Sequence, residues 1–233
     1  MRYSANLNII IKALEKASSH ISRDFIEIEN LQSNPVSANK FTNACYNRVK
    51  KVLIDDFTKV RPNYNLIFAD GDDVIVAKDS EYSLLINVID GIENLTRSCA
   101  DFTISIALIY HNNNDKKSES IAVAIYKVIG GELFYSEKGF GAYLNNRRLR
   151  VSKRSGDNVI IACDDQEIKL NQKNQLRSYG SKTLEIAYLA SARIEQIILK
   201  NSDTKFVEPF FLIVREAGGK ISYKDNLIII SNS

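Results

Sequence analysis

The sequence predicts an α+β fold in which sheets and helices stack as layers of one body, and three observations support this. Apolar residues recur at helical spacing through the first part of the chain. The middle alternates strand-like runs with turn residues, as hairpins do. One apolar strand, Leu84 to Ile89, runs straight into Asp90, Gly91 and a short helical pattern. At 233 residues the chain is long enough to bury a full core without disulfides or structural metals.

Ile10, Ala13, Leu14, Ala17 and Ile21 recur at three- and four-residue steps, which predicts a first helix from about Ala5 to Phe25 with one buried stripe. The polar segment Asn30 to Pro35 interrupts that pattern. Phe41, Cys45, Val49, Val52, Leu53 and Phe57 then set up a second helix, which Arg61-Pro62-Asn63-Tyr64 ends. Leu66-Ile67-Phe68 reads as a brief strand leading to an acidic turn, Ala69-Asp70-Gly71-Asp72-Asp73. Phe102 to Tyr110 and Ile121 to Tyr126 are strands joined through a polar turn, His111 to Asp115. Glu132 to Ser136 adds another strand. Gly139-Phe140-Gly141 shapes a further hairpin, since a lone G-x-G is weak evidence for phosphate.

A connection at Val151 to Arg154 leads into the strand Val159 to Cys163. Ser181 caps a helix through Leu184, Ala187, Tyr188 and Ala190, Ile194 to Leu199 is a strand, and Pro209 to Glu216 is a buried helix closed by Ala217-Gly218-Gly219. A boundary near residue 153 divides an N-terminal α+β half, 1–153, from a C-terminal α/β half, 154–233. Together they are expected to make one compact unit.

Composition narrows the function classes. With 31 basic and 28 acidic residues the net charge of +3 is too balanced to indicate nucleic acid or a membrane surface. No apolar run reaches membrane-spanning length and no leader-like h-region opens the chain, so a cytoplasmic location is expected. Cys45, Cys99 and Cys163 lack C-x-x-C spacing and read as small core residues. Only two histidines exist, His20 in the first helix and His111 in a turn, which leaves almost no material for a Ser-His-Asp mechanism. Chemistry therefore concentrates where the strand end fixes Asp90. There Gly91 permits the turn, and the backbone N–H groups of Gly91 and Ile92 point outward with the positive end of a helix dipole, an arrangement suited to a metal and a phosphate side by side.

The run Asn87-Val88-Ile89-Asp90-Gly91-Ile92-Glu93-Asn94 is flanked, in order, by Arg23-Asp24-Phe25, Glu132-Leu133-Phe134, Gly139-Phe140-Gly141-Ala142, Arg177-Ser178-Tyr179-Gly180-Ser181 and Arg215-Glu216-Ala217-Gly218-Gly219. This series resembles the inositol monophosphatase family, in particular its bacterial extragenic-suppressor type, whose signature is Asp-Pro-x-Asp-Gly-Thr-Thr-Asn. The resemblance covers essentially the whole chain. It implies a layered α-β-α-β-α sandwich of the inositol monophosphatase and sugar phosphatase type, a homodimer, and Mg²⁺-dependent hydrolysis of a sugar or polyol phosphate.

Residue by residue, the resemblance keeps Asp90 as metal ligand and catalytic carboxylate, Ile89 as a carbonyl ligand, and Gly91 and Ile92 as phosphate donors. Most other ligands are replaced. Ala69 and Asp70 stand at the family's Glu-Glu pair, Asn87 at the first signature Asp, and Phe206 at the Asp of a Trp-Asp pair. Ile92 falls where a Thr orients water, and Leu199 where a Glu holds substrate hydroxyls. Mg²⁺ prefers six oxygens in a tight octahedron, so Asp90 with one carbonyl and one amide implies weak or absent binding. The expected function is a catalytically impaired or inactive family member, a dimeric scaffold or regulatory protein that binds a protein partner or a phosphate-containing small molecule. The alternative is a Mg²⁺-dependent phosphatase acting on inositol monophosphate or a related sugar phosphate, with Asp70, Asp90 and either Glu93 or Asp72 as rearranged ligands. Lys40, at the place of a family Asp, or Lys205 is expected to reach Asp90 and supply the charge a metal would bring.

Overall fold

A computed structural model of the chain describes residues 4–77, 79–112, 117–163, 173–200 and 204–233. It opens with three helices, α1 (Ala5–Ser18), α2 (Ile21–Asn30) and α3 (Pro35–Val60). The single first helix expected over Ala5 to Phe25 is therefore two. Apolar spacing runs unbroken from Ile10 to Ile21, but Ser18, Ser19 and His20 are weak helix formers, and the Ser18 hydroxyl donates back to the Glu15 carbonyl at 3.1 Å. Helix α3 begins at Pro35, not near Phe41. The Asn34 side chain accepts from the Ser37 N–H at 3.1 Å and Pro35 takes the first helical position, a start signal that the apolar stripe does not carry.

Seven strands form the first sheet in sequence order: β1 (Asn65–Phe68), β2 (Tyr82–Asp90), β3 (Thr103–Asn112), β4 (Lys117–Lys127), β5 (Glu132–Glu137), β6 (Gly141–Leu144) and β7 (Arg147–Arg148). The β1–β2 pair is parallel and the rest are antiparallel. A short helix, α4 (Ile92–Thr96), joins β2 to β3. The second sheet has the order β11-β12-β10-β8-β9, from β8 (Ile160–Cys163), β9 (Gln175–Arg177), β10 (Gln196–Lys200), β11 (Lys220–Lys224) and β12 (Leu227–Ser231). Helix α5 (Lys182–Ala190), a 3-10 turn (Glu208–Phe210) and α6 (Phe211–Glu216) complete the chain.

Strand β2 is buried on both faces, and its two-residue period splits it between two cores. Leu84, Ile86 and Val88 join α1, α2 and α3 on one side, whereas Leu85 faces α5, α6 and the second sheet. The described residues thus supply an α-β-α-β stack, four of the five expected layers. No described helix joins the small cluster of Ile161, Cys163 and Ile198 on the second sheet.

Two local expectations change. His111 and Asn112 lie in β3, not in a turn, with His111 Nε2 2.8 Å from the Ser83 hydroxyl and Nδ1 2.7 Å from that of Ser118; residues 113–115 of the expected turn lie outside the described residues. Cys45 and Cys163 are buried but Cys99 is exposed in the turn after α4, where no apolar partner covers it. Gly139-Phe140-Gly141 does turn β5 into β6 as a hairpin, and the Gly139 and Gly141 N–H groups donate to the chain's own Glu216 carboxylate at 2.7 and 2.8 Å. The connection at 151–154 is held by the buried Glu195 carboxylate, which accepts from the Ser152 hydroxyl (3.1 Å), Arg154 Nε (2.7 Å) and the Ile160 N–H (2.8 Å).

Candidate functional site

Strand β2 pairs regularly with β3 as far as Asn87 opposite Ser105, then shifts register before Asp90 meets Thr103. Such an irregularity bends a strand and re-aims its next side chain. Asp90 is turned onto the N-terminus of α5. Its Oδ2 accepts from the Ser181 hydroxyl (2.8 Å), the Thr183 hydroxyl (2.6 Å) and the Thr183 N–H (2.7 Å). The Ser181 hydroxyl caps the same helix by accepting from the Leu184 N–H, as the sequence predicted. Asp90 is therefore a charge held by three donors and the positive end of a helix.

Gly91 is required twice over. Its φ of +88° is left-handed, and an added Cβ would stand 2.9 Å from the Asp101 carbonyl oxygen and 3.1 Å from that of Gly180. The Asn94 amide donates to the carbonyls of Asp101 (2.6 Å) and Tyr179 (2.7 Å), which ties α4 to the two segments that crowd Gly91. Helix α4 has only five residues, so the dipole behind the Gly91 and Ile92 N–H groups is small.

Of the remaining positions expected to hold ligands or substrate, Asn87, Ile92 and Leu199 are closed by protein contacts. Ala69 ends β1 exposed, its N–H bonded to the Ile86 carbonyl at 3.1 Å. Asn87 is buried, and its amide donates to the Phe206 carbonyl at 3.3 Å and more weakly to the Ser105 hydroxyl at 3.4 Å. Two positions where the resemblance places metal carboxylates are thus joined directly to each other. Ile92 packs on the first core, and Leu199 is buried in the second.

Neither Lys40 nor Lys205 bonds to Asp90, whose charge is already met by α5. Lys40 is exposed on α3, and Lys205 Nζ lies 5.2 Å over the Phe206 ring. Lys50 reaches instead the acidic turn after β1, where its Nζ is 2.6 Å from Asp70 Oδ2 and 3.0 Å from Asp72 Oδ2. Its side chain is only 10% exposed and its ammonium sits 4.7 Å over the Phe68 ring. One helical turn earlier, Tyr46 donates its hydroxyl to the same Asp70 oxygen at 2.7 Å. Burial opposes ionisation of Asp70, but the bonds from Lys50 and Tyr46 outweigh it and hold the carboxyl below its usual range. Burial likewise opposes the Lys50 charge, and Asp70 and Asp72 outweigh that to raise it. Burial, followed by the bond to Asp70, pushes the Tyr46 phenol up.

Sequence reading missed Tyr46, Lys50 and Thr183. Tyr46 and Lys50 did carry one signal, an i,i+4 spacing on a predicted helix.

These residues do not fit magnesium. Asp90 is the one carboxylate at the retained ligand positions and an oxygen of it is already shared by three donors, while Asp70 carries an ammonium. Among the described residues no group of three or more His, Cys, Asp or Glu side chains is placed to hold a metal ion. Nor is any described helix long and apolar enough to cross a membrane.

An inositol-1-monophosphatase of Mesorhizobium japonicum is 27% identical over 240 residues, which cover 97% of this chain and 88% of that protein. The Nus factor SuhB of Vibrio cholerae is 26% identical over 234 residues, covering 93% and 84% respectively. Among solved structures, the extragenic suppressor protein suhB from Bartonella henselae aligns with a TM-score of 0.81 at 26% identity, over 100% of this chain and 95% of that one. The profile described as the inositol monophosphatase family matches residues 3–226. With that match running nearly end to end, and the strand, glycine turn and short helix in place at Asp90, the chain belongs to the inositol monophosphatase family.

Proposed function

We propose that this chain is a catalytically silent member of its family that serves as a scaffold or regulatory binding protein. The observation that carries this reading is the commitment of Asp90 Oδ2 to Ser181 and Thr183. That leaves a divalent ion only Asp90 Oδ1, and Asn87 and Ala69 bring no charge to offset dehydration of the ion. Phosphomonoester hydrolysis in this family's manner needs an activated water and compensation of phosphate charge. Ile92 and Leu199 offer no side-chain oxygen for either task. The phosphatase alternative through Asp70 and Asp72 is weakened by the same kind of contact, since both carboxylates already hold Lys50.

A binding role draws support from a relative named as a Nus factor and not as a phosphatase, an analogy of family and not of site. The same reading includes a homodimer, a protein partner and a cytoplasmic location. It is tested by following hydrolysis of inositol 1-phosphate and p-nitrophenyl phosphate across a Mg²⁺ series. The expected result is no turnover above the protein-free rate, with Asp90→Asn indistinguishable from wild type. Mg²⁺-dependent turnover that Asp90→Asn abolishes would overturn the reading.

A further inference from the structure

We propose that Lys50 is a resident cation: its ammonium holds Asp70 and Asp72 together at the end of β1, so that this acidic turn keeps its shape without any divalent ion. The inference rests on the metal-free reading of the corner and adds what supplies the positive charge there.

The geometry sets Lys50 apart from an ordinary surface ion pair. Exposed Lys–Asp pairs contribute little because water solvates both partners and the long side chain loses entropy. Here the side chain is 10% exposed and its ammonium is stacked on Phe68. Asp70 is 31% exposed and receives a second donor from Tyr46. Asp72 is 83% exposed, so Asp70 is the partner that matters and Asp72 a minor one. The network also closes on itself, because the Asp72 N–H donates to the other Asp70 oxygen at 3.3 Å. The third acid of the turn is separately engaged, with Asp73 Oδ1 accepting from the Phe68 N–H at 2.7 Å.

Two carboxylates two residues apart, drawn into one turn, repel each other unless a cation stands between them. A divalent ion could do so. Lys50 already occupies that position at 2.6 and 3.0 Å, and its like charge opposes the approach of a second cation. Because the ammonium is carried on α3, the charge that neutralises the turn also ties β1 to the helical layer. Fold and charge balance at this end of the sheet then depend on one side chain, not on the metal content of the solvent.

The test is a thermal-unfolding cycle in EDTA on wild type, Lys50→Gln and the double variant Lys50→Gln/Asp70→Asn, repeated with excess Mg²⁺ and with KCl at matched ionic strength. Wild type should be unmoved by Mg²⁺. Lys50→Gln should unfold about 3–6 °C lower in EDTA, the size expected when the buried partner of a half-exposed pair is removed. It should recover in part with Mg²⁺ but not with KCl. The double variant should recover in EDTA alone, because the amide introduced by Asp70→Asn keeps an acceptor for Tyr46 and no longer needs a counter-charge. Lys50→Gln as stable as wild type, or a loss that neither Mg²⁺ nor Asp70→Asn repairs, would overturn the proposal by showing that Lys50 only packs. If Lys50→Gln fails to fold, the double variant decides: folded supports the resident cation, unfolded refutes it. Metal-dependent turnover by wild type would sink the catalytically silent reading yet leave this cycle standing, and a failed cycle would leave that reading intact.

Discussion

Restoring the family's acid at position 87 should harm this chain. Asn87→Asp places a carboxylate at a side chain that is 8% exposed, where the amide now donates to the Phe206 carbonyl at 3.3 Å. The ionised acid can only accept, so it would face that carbonyl oxygen with no donor of its own beyond the Ser105 hydroxyl. Losing the amide donor and burying a poorly satisfied charge together cost about 2–4 kcal/mol. For a chain of this size that is roughly 5–15 °C in unfolding temperature. The sign with pH is definite. Burial raises the folded pKa of the new acid above its unfolded value of about 3.9, so the penalty is absent below that pH and complete above the raised folded value. Asn87→Leu is the control, since it loses the same donor without adding charge and should cost about 1 kcal/mol at every pH. Calorimetric scans between about pH 5 and pH 8 in EDTA read the difference. An Asn87→Asp protein as stable as the Asn87→Leu protein at the top of that range would refute the reasoning, because it would mean that the corner still accommodates a ligand carboxylate unaided.

Three further outcomes follow from the same geometry. Gly91→Ala should cost about 2–4 kcal/mol, from its left-handed φ and a Cβ 2.9 Å from the Asp101 oxygen, whereas Gly71→Ala, at φ +86° with nothing within 4 Å, should cost only about 1–2 kcal/mol; equal losses in urea titrations would contradict the crowding. Burial pushes the Cys45 thiol up to about 12, and Cys163 is buried as well, so a thiol reagent at neutral pH should label Cys99 promptly and the other two only on unfolding. The two-armed bond from Arg193, and to a lesser degree its charge, holds Glu132 below its usual range against burial. That contribution is present above an unfolded pKa of about 4.3 and is lost as pH falls through the depressed folded value. Arg193→Ala should thus cost about 1 kcal/mol more at pH 7 than in strong acid, discounted for partial exposure of the pair; the loss of its stacking on Tyr188 and Phe134 remains at both.

Much of the corner was legible in the sequence alone. A strand, an acid, a glycine and a short helix can be read from Leu84 to Asn94 because each step is local: period-two burial, a residue that tolerates positive φ, and a helical start. Ser181 was legible as a cap for the same reason. Its bond to Asp90 was not, since it spans 91 residues and depends on a register shift in β2 that leaves no mark in the sequence. Lys50 was hidden differently. It lies next to Val49 and Leu53 on the buried stripe of α3, where a charged neighbour reads as a solvated edge, and only the arrival of the β1 turn gives it partners. Lys40 and Lys205 sit at or beside replaced acidic positions in sequence, which makes them the expected counter-charges. The lysine with acidic partners, Lys50, comes from a different turn of the helix and reaches the Asp70–Asp72 turn. The break between α1 and α2 was invisible to apolar spacing, which continues through it, although Ser18-Ser19-His20 carried the propensity to stop.

On the proposed reading, the Asp90 corner is held by the chain's own donors and takes no metal. The most direct test is calorimetric titration of the wild-type chain with Mg²⁺ at neutral pH after exhaustive treatment with EDTA. The account predicts no saturable heat through the millimolar range, and an Asp90→Asn titration that overlays the wild type. Saturable binding below a millimolar that Asp90→Asn removes would contradict it.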